Sequence, residues 1–179
     1  MAMISRRELL LGGAAVAAAP LIGGLAARQA HAADTLLDLS RLSHEILPGT
    51  LTRDMMSFVS TGAPPVLRMR RGETFNVDVD NGLGEAVTVH WHGLRIANAM
   101  DGVPYLTQNP IEAKERFRYS FTPPDAGTFW YHPHCNTLEQ IARGLTGVLI
   151  VEDDEDPGFD ADIPLNIRDF RLNGEGAFI

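Results

Sequence analysis

The sequence has 179 residues, of which 45% are hydrophobic, and a formal net charge of −8. This length suits one domain of ordinary size, and the acidic balance argues against nucleic acid or an anionic membrane as a partner. Cys135 is the only cysteine, so an intrachain disulfide is excluded.

The N-terminus has the pattern of an export signal. Ser5–Leu10 contains a twin arginine, residues 11–27 are apolar and rich in Gly and Ala, and Ala30-His31-Ala32 matches a cleavage site. A membrane anchor is the alternative, but the stretch is only weakly hydrophobic. We therefore expect residues 1–32 to be a twin-arginine signal peptide that is removed. The mature chain would then lie in the periplasm or outside the cell, with no segment in the membrane.

The next region, residues 33–65, is predicted to be an N-terminal arm that covers the domain. It is polar and irregular, with a possible short strand at Thr35–Leu39. His44 lies in this arm as a solitary histidine, and we interpret it as structural.

From residue 66 to residue 170 the pattern predicts an all-β domain. Short runs that alternate or are continuously apolar are separated by turn residues at intervals typical of a β-sandwich. The predicted strands are Val66–Met69, Thr74–Asp80, Val87–His92, Glu115–Thr122, Phe129–His134, Gly147–Glu152 and Pro164–Phe170. Leu138–Arg143 is predicted to be a short helix. Residues 171–179 are interpreted as the truncated start of a further segment.

Two histidine pairs carry the chemical signal, His90-Trp91-His92 and His132-Pro133-His134. Residues i and i+2 of a strand point to the same face, so each pair directs two imidazoles one way. If the two strands are neighbours, four imidazoles converge. Imidazole clusters without carboxylates suit Cu, Zn or Fe rather than Ca or Mg. The sequence therefore predicts a metal site made of His90, His92, His132 and His134.

These residues bear on several kinds of metal site. A cupin site is disfavoured, because Arg95 and Ile96 stand where its glutamate belongs. A catalytic zinc site with three histidines and an open position remains possible. A blue-copper site would use Cys135, but no histidine or methionine follows it. We therefore expect no type 1 copper, and a half-buried Cys135 thiol near the metal.

The sequence also resembles the first cupredoxin domain of the multicopper oxidases, which include laccases and bacterial copper-resistance oxidases. The resemblance covers roughly residues 50–170 and departs from the family pattern at Glu112-Ala113, where Pro-Gly is usual. The matching motifs are His90–Leu94, Asp101–Pro104, Gln108–Ile111, Gly127–His134 and Gly144–Asp153. It implies a Greek-key β-sandwich over residues 66–170.

The resemblance implies a function for the four histidines. His90 would serve a type 2 copper, and His92, His132 and His134 a type 3 pair, in a trinuclear cluster that reduces O2 to water. Four further histidines and the type 1 copper would come from a C-terminal cupredoxin domain, encoded by the same gene or by a split partner. The chain alone is then expected to be inactive. The alternatives are a non-enzymatic periplasmic copper-binding module and, more distantly, a zinc hydrolase. No electron donor is indicated.

Overall fold

The computed structural model describes residues 35–61, 63–155 and 158–179. The predicted signal peptide, residues 1–32, lies outside the described residues. The regular secondary structure of the described chain is mostly strand, arranged in two four-stranded sheets, which confirms the all-β prediction. The strands are β1 (Thr35–Leu47), β2 (Thr50–Ser57), β3 (Leu67–Arg70), β4 (Phe75–Asn81), β5 (Val89–His92), β6 (Arg116–Phe121), β7 (Gly127–Pro133) and β8 (Gly147–Glu152).

The first sheet has the strand order β2-β1-β4-β6 and contains most of the predicted arm. The possible short strand at Thr35–Leu39 is confirmed as the first part of β1. The expectation of an irregular arm is wrong for residues 40–57, which form a long antiparallel hairpin. The first part of β1 also pairs in parallel with β4, where Leu37 lies opposite Val79. Two register shifts interrupt β1, and such irregularities break the alternation that identifies a strand in a sequence.

The second sheet has the order β3-β8-β7-β5. β8 pairs in parallel with β3 and antiparallel with β7, and β7 pairs antiparallel with β5. The predicted helix is confirmed as α1 (Thr137–Ala142), which begins shortly after β7 ends. A 3₁₀ turn at Asn98–Met100 lies in the connection between β5 and β6. Among the described residues, we find no helix of the length and apolar character needed to cross a membrane.

Aromatic rings fill the space between the two sheets. The fully buried Trp91 ring lies 5.3 Å from Tyr119, 5.1 Å from Phe121 and 5.8 Å from Tyr131, measured between ring centroids. Such tilted ring pairs contribute beyond the area that they bury. Because Trp91 stands between His90 and His92, this packing fixes the strand that carries the first histidine pair.

The prediction of a strand at Pro164–Phe170 is wrong. In the described part of the chain this segment forms no sheet ladder, although it alternates as a strand would. Asn166 donates to the Thr146 carbonyl (3.2 Å) and Arg168 to the Gly144 carbonyl (3.1 Å). The intervening apolar side chains face solvent: Ile163, Leu165 and Ile167 are 74–91% exposed. Local pattern alone therefore does not make a strand, since a ladder partner is also needed.

Candidate metal centre

The two histidine pairs lie on neighbouring strands, as predicted. In the antiparallel β5–β7 pair, His90 lies directly opposite His132, and His92 lies directly opposite Trp130. Directly opposite residues project from the same face of a sheet, so these four side chains share the face that points away from the aromatic core. His134 follows at the end of β7. The sheet register therefore brings the predicted ligands together.

Three of the four predicted ligands form the tightest group. One nitrogen each from His90, His132 and His134 lies within 4.8 Å of the others, and we call these residues the histidine trio. His92 lies outside the trio but next to it, with its Nδ1 3.3 Å from Nε2 of His132. Its ring centroid is 5.5 Å from that of His90 and 5.5 Å from that of His132. All four imidazoles thus belong to one cluster.

Backbone carbonyls hold two of the imidazoles through Nδ1. His90 Nδ1 lies 2.7 Å from the Asp101 carbonyl oxygen, and His132 Nδ1 lies 3.0 Å from the Pro133 carbonyl oxygen. A neutral imidazole that donates from Nδ1 keeps its lone pair on Nε2 for a metal. The motif Asp101–Pro104 does not reveal the contact between Asp101 and His90, because a backbone acceptor has no residue-type signature.

The exposure of the histidine side chains increases from one side of the cluster to the other. His132 is 5% exposed, the His90 side chain is 18% exposed, and His92 is exposed. Burial is the main cause that lowers the pKa of His132 from its ordinary value of 6.5 to about 4, with the other three histidines acting in the same direction. Burial also lowers the pKa of His134. The neutral form, which ligates metals, is therefore favoured at these two positions.

The metal-free protein is expected to lose stability as the pH falls from about 6.5 toward about 4. Over this range the unfolded chain binds a proton at His132 that the folded chain does not, so the free energy of unfolding falls by up to roughly 1.4 kcal/mol per pH unit. The loss levels off below the folded-state pKa. Urea unfolding of the metal-free protein at several pH values measures this slope.

This pH range separates the effect of His132 from the effect of the carboxylates that are paired with arginines. Arg118 and Arg95 hold the pKa values of Asp78 and Asp125 below their usual range, so these carboxylates stay ionised above about pH 4. His132→Gln should flatten the slope. An unfolding free energy that does not change between about pH 7 and about pH 5 would contradict the prediction.

The donor set fits copper. All the ligands are imidazoles, which suit Cu and Zn, whereas Ca and Mg prefer oxygen. Two nitrogen donors on one metal lie at most about 4.2 Å apart, so nitrogens of the trio near the 4.8 Å limit would have to approach by roughly 0.6 Å to share a single ion. Rotation of the rings supplies such a shift, because terminal imidazole torsions are broad.

The other candidate residues lie outside this cluster. Cys135 is a free, half-buried thiol, as expected, and burial raises its pKa. It contributes no ligand to the trio. Over residues 35–61, 63–155 and 158–179, the trio is the one group of three or more His, Cys, Asp or Glu side chains that could hold a metal ion. His44 is exposed on β1, in the other sheet.

Comparisons with known proteins all point to one family. The sequence model described as multicopper oxidase matches residues 43–156. Laccase-2 of Fomitopsis schrenkii is 39% identical over 127 residues, which cover 66% of this chain and 24% of that protein. Copper resistance protein A of Pseudomonas syringae pv. tomato is 34% identical over 170 residues, 88% of this chain and 27% of that protein.

Solved structures show the same likeness. A multicopper oxidase from Pseudomonas thermotolerans has a TM-score of 0.78 at 38% identity, covering 82% of this chain and 36% of that one. Lac15 from a marine microbial metagenome has a TM-score of 0.76 at 46% identity, and the match covers 82% of this chain and 40% of that one. The chain spans about a quarter of the length of the curated relatives it matches. Because the family model covers well over half of the sequence, and the fold agrees, the chain belongs to the multicopper oxidase family.

Proposed function

We propose that this chain is the N-terminal copper-binding domain of a laccase-like oxidase. In this proposal His90 serves the type 2 copper, and His92, His132 and His134 serve the type 3 pair, of a cluster that reduces O2 to water. The observation that carries the proposal is the convergence of four imidazoles on one sheet face, set by the His90–His132 register. Family membership supports copper as the metal.

The residues of the chain hold and orient the donors. The Asp101 and Pro133 carbonyls fix two rings through Nδ1, and burial keeps His132 neutral. When bound, copper supplies one-electron redox chemistry and a coordination position open to O2. The buried side of the cluster is closed by the chain itself, whereas the side at His92 is exposed. That open side is where further ligands could approach.

We infer that a C-terminal cupredoxin domain supplies four further histidines and the type 1 copper, either from the same gene or from a split partner. The limited share of each relative that this chain covers supports a partner domain. We expect the chain alone to bind copper without oxidising a substrate. The electron donor would meet the partner domain, so no donor is proposed.

Copper titration of the mature chain tests the ligand assignment. Electron paramagnetic resonance should show Cu(II) bound by nitrogen, and no intense absorption should appear at about 600 nm, because a thiolate ligand is absent. A strong band there would overturn the exclusion of a type 1 site. His90→Ala combined with His132→Ala should abolish binding and leave the sandwich folded, whereas unchanged binding would refute the ligand set.

A non-enzymatic copper-binding module is the second candidate. It is favoured by the observation that three donor atoms lie within 4.8 Å using residues of this chain alone. The sequence of the gene beyond codon 179 distinguishes the two candidates. A downstream His-Cys-His block with a following methionine would support the oxidase, and a stop codon with no such block nearby would support the module.

Export to the periplasm or the medium by the twin-arginine route is part of the same proposal. It is supported by Arg6 and Arg7 and by the cleavage pattern at Ala30-His31-Ala32. Cell fractionation of the product tests it: we expect a processed chain that begins after Ala32. Accumulation of the unprocessed chain in the cytoplasm would contradict it.

A further inference from the structure

Trp130 lies against two of the cluster imidazoles. Its ring stacks on His132 with a centroid distance of 4.2 Å and an interplanar angle of 26°. It also lies 4.8 Å from His92, at 31°. The reason is local: Trp130 is two residues before His132 on β7 and directly opposite His92 on β5. One indole therefore covers a face of each of two imidazoles.

The burial of Trp130 differs from that of the other tryptophan. Trp91 is fully buried in the core, whereas Trp130 is 37% exposed on the opposite face of the sheet. Large aromatic side chains usually stabilise a fold by burial between layers. Trp130 makes its described ring contacts with histidines of the cluster, so its position serves the cluster more directly than the core.

The stack restricts rings that would otherwise turn. The torsion that rotates an imidazole is broad, and His92 is exposed. With the indole against their faces, His92 and His132 keep Nδ1 and Nε2 at a hydrogen-bond distance of 3.3 Å from each other. A metal on these nitrogens draws electron density from the rings, and an electron-poor ring is attracted more strongly to an indole face. The contact should therefore favour the metal-loaded state.

We propose that Trp130 is a positioning residue that orients the His92 and His132 imidazoles for metal. The inference rests on the proposed function for the identity of the metal, but its ring geometry is testable without metal. It predicts that Trp130 acts through the two histidines and donates no ligand atom of its own. Another flat ring at this position should replace it, and an aliphatic side chain should not.

The test compares Trp130→Leu with Trp130→Phe in the full chain, with Leu138→Ala as the control. Leu138 is 88% exposed and lies shortly after His134, so it offers an apolar change near the site without a ring contact. Competition with a chelating dye should show copper affinity lowered by roughly 10-fold in Trp130→Leu and mostly restored in Trp130→Phe. Leu138→Ala should match the unmodified chain.

Two spectroscopic readouts separate orientation from folding. In the metal-free chain, nuclear magnetic resonance should show ring protons of His92 and His132 shifted by the indole, and these shifts should collapse in Trp130→Leu. In the copper-loaded chain, Trp130→Leu should broaden the paramagnetic resonance spectrum, and Trp130→Phe should recover it. Should Trp130→Leu fail to fold, the Trp130→Phe variant and the ring shifts of the unmodified chain still decide.

The possible failures are distinguishable. If the unmodified chain binds no copper, the proposed function is overturned, whatever the ring shifts show. If the unmodified chain binds copper and Trp130→Leu binds it equally well with an unchanged spectrum, the positioning role alone is overturned. Ring protons without any indole-dependent shift would also overturn it.

Discussion

His132→Ala is expected to lower copper affinity more than any other single substitution in the cluster. The His132 ring lies close to all three other rings, with centroids 5.2 Å from His90, 5.5 Å from His92 and 5.4 Å from His134. It is also 5% exposed, so water replaces its nitrogen poorly. Loss of an outer-shell partner costs 10- to 100-fold in metal affinity, so loss of this direct ligand should cost more than about 100-fold. Competitive titration with a chelator measures the change.

Two further variants serve as controls for His132→Ala. His44→Ala removes an exposed histidine from the other sheet and should leave copper affinity unchanged. His92→Ala removes the ring outside the trio and should cost less than His132→Ala if a single copper is bound. Equal losses for His132→Ala and His44→Ala would show that copper binds this chain elsewhere.

Gly102→Ala is expected to damage both the fold and the metal site. Gly102 has φ +76°, and an added Cβ would overlap the Val89 carbonyl oxygen and lie 2.9 Å from the His90 nitrogen. The left-handed backbone costs about 1–2 kcal/mol for a residue with a Cβ, and forced overlap with backbone adds about 1–3 kcal/mol. We expect the free energy of unfolding to fall by about 3 kcal/mol or more, as measured by urea unfolding.

The site should be affected because the same turn carries Asp101, whose carbonyl oxygen lies 2.7 Å from His90 Nδ1. When the turn moves away from β5, this contact lengthens and the His90 ring is released, so copper affinity falls as well. Gly84→Ala is the matched control: Gly84 has φ +82°, but its added Cβ meets nothing within 4 Å. If the two variants are equally stable, close packing of the turn on β5 is refuted.

The histidine site was predictable because its signals are local. A two-residue period places His90 and His92 on one face, and the aromatic and β-branched neighbours identify the strand. Two contacts of the site were not predictable, because they join residues that are distant in the sequence or depend on how two strands pair. The Asp101 carbonyl reaches His90 from the loop between β5 and β6, and the contact of Trp130 with His92 depends on the register between β5 and β7.

The two wrong strand expectations have a common physical origin. Residues 35–57 were expected to be mostly irregular, but their ladder with β4 and their hairpin stabilise long strands. Residues 164–170 alternate as a strand does, but over the described chain they find no ladder. In each case the outcome is decided by the presence of a neighbouring strand, which composition and periodicity do not encode.

The outward-facing residues Ile163, Leu165 and Ile167 have a practical consequence. An extended backbone with alternating apolar side chains is a template for edge-to-edge association, and native proteins usually protect such edges with charge or proline. Pro164 lies within this segment but removes only one backbone N–H donor, so it gives limited protection. Preparations of the isolated chain should therefore become turbid with rising concentration, before any loss of secondary structure.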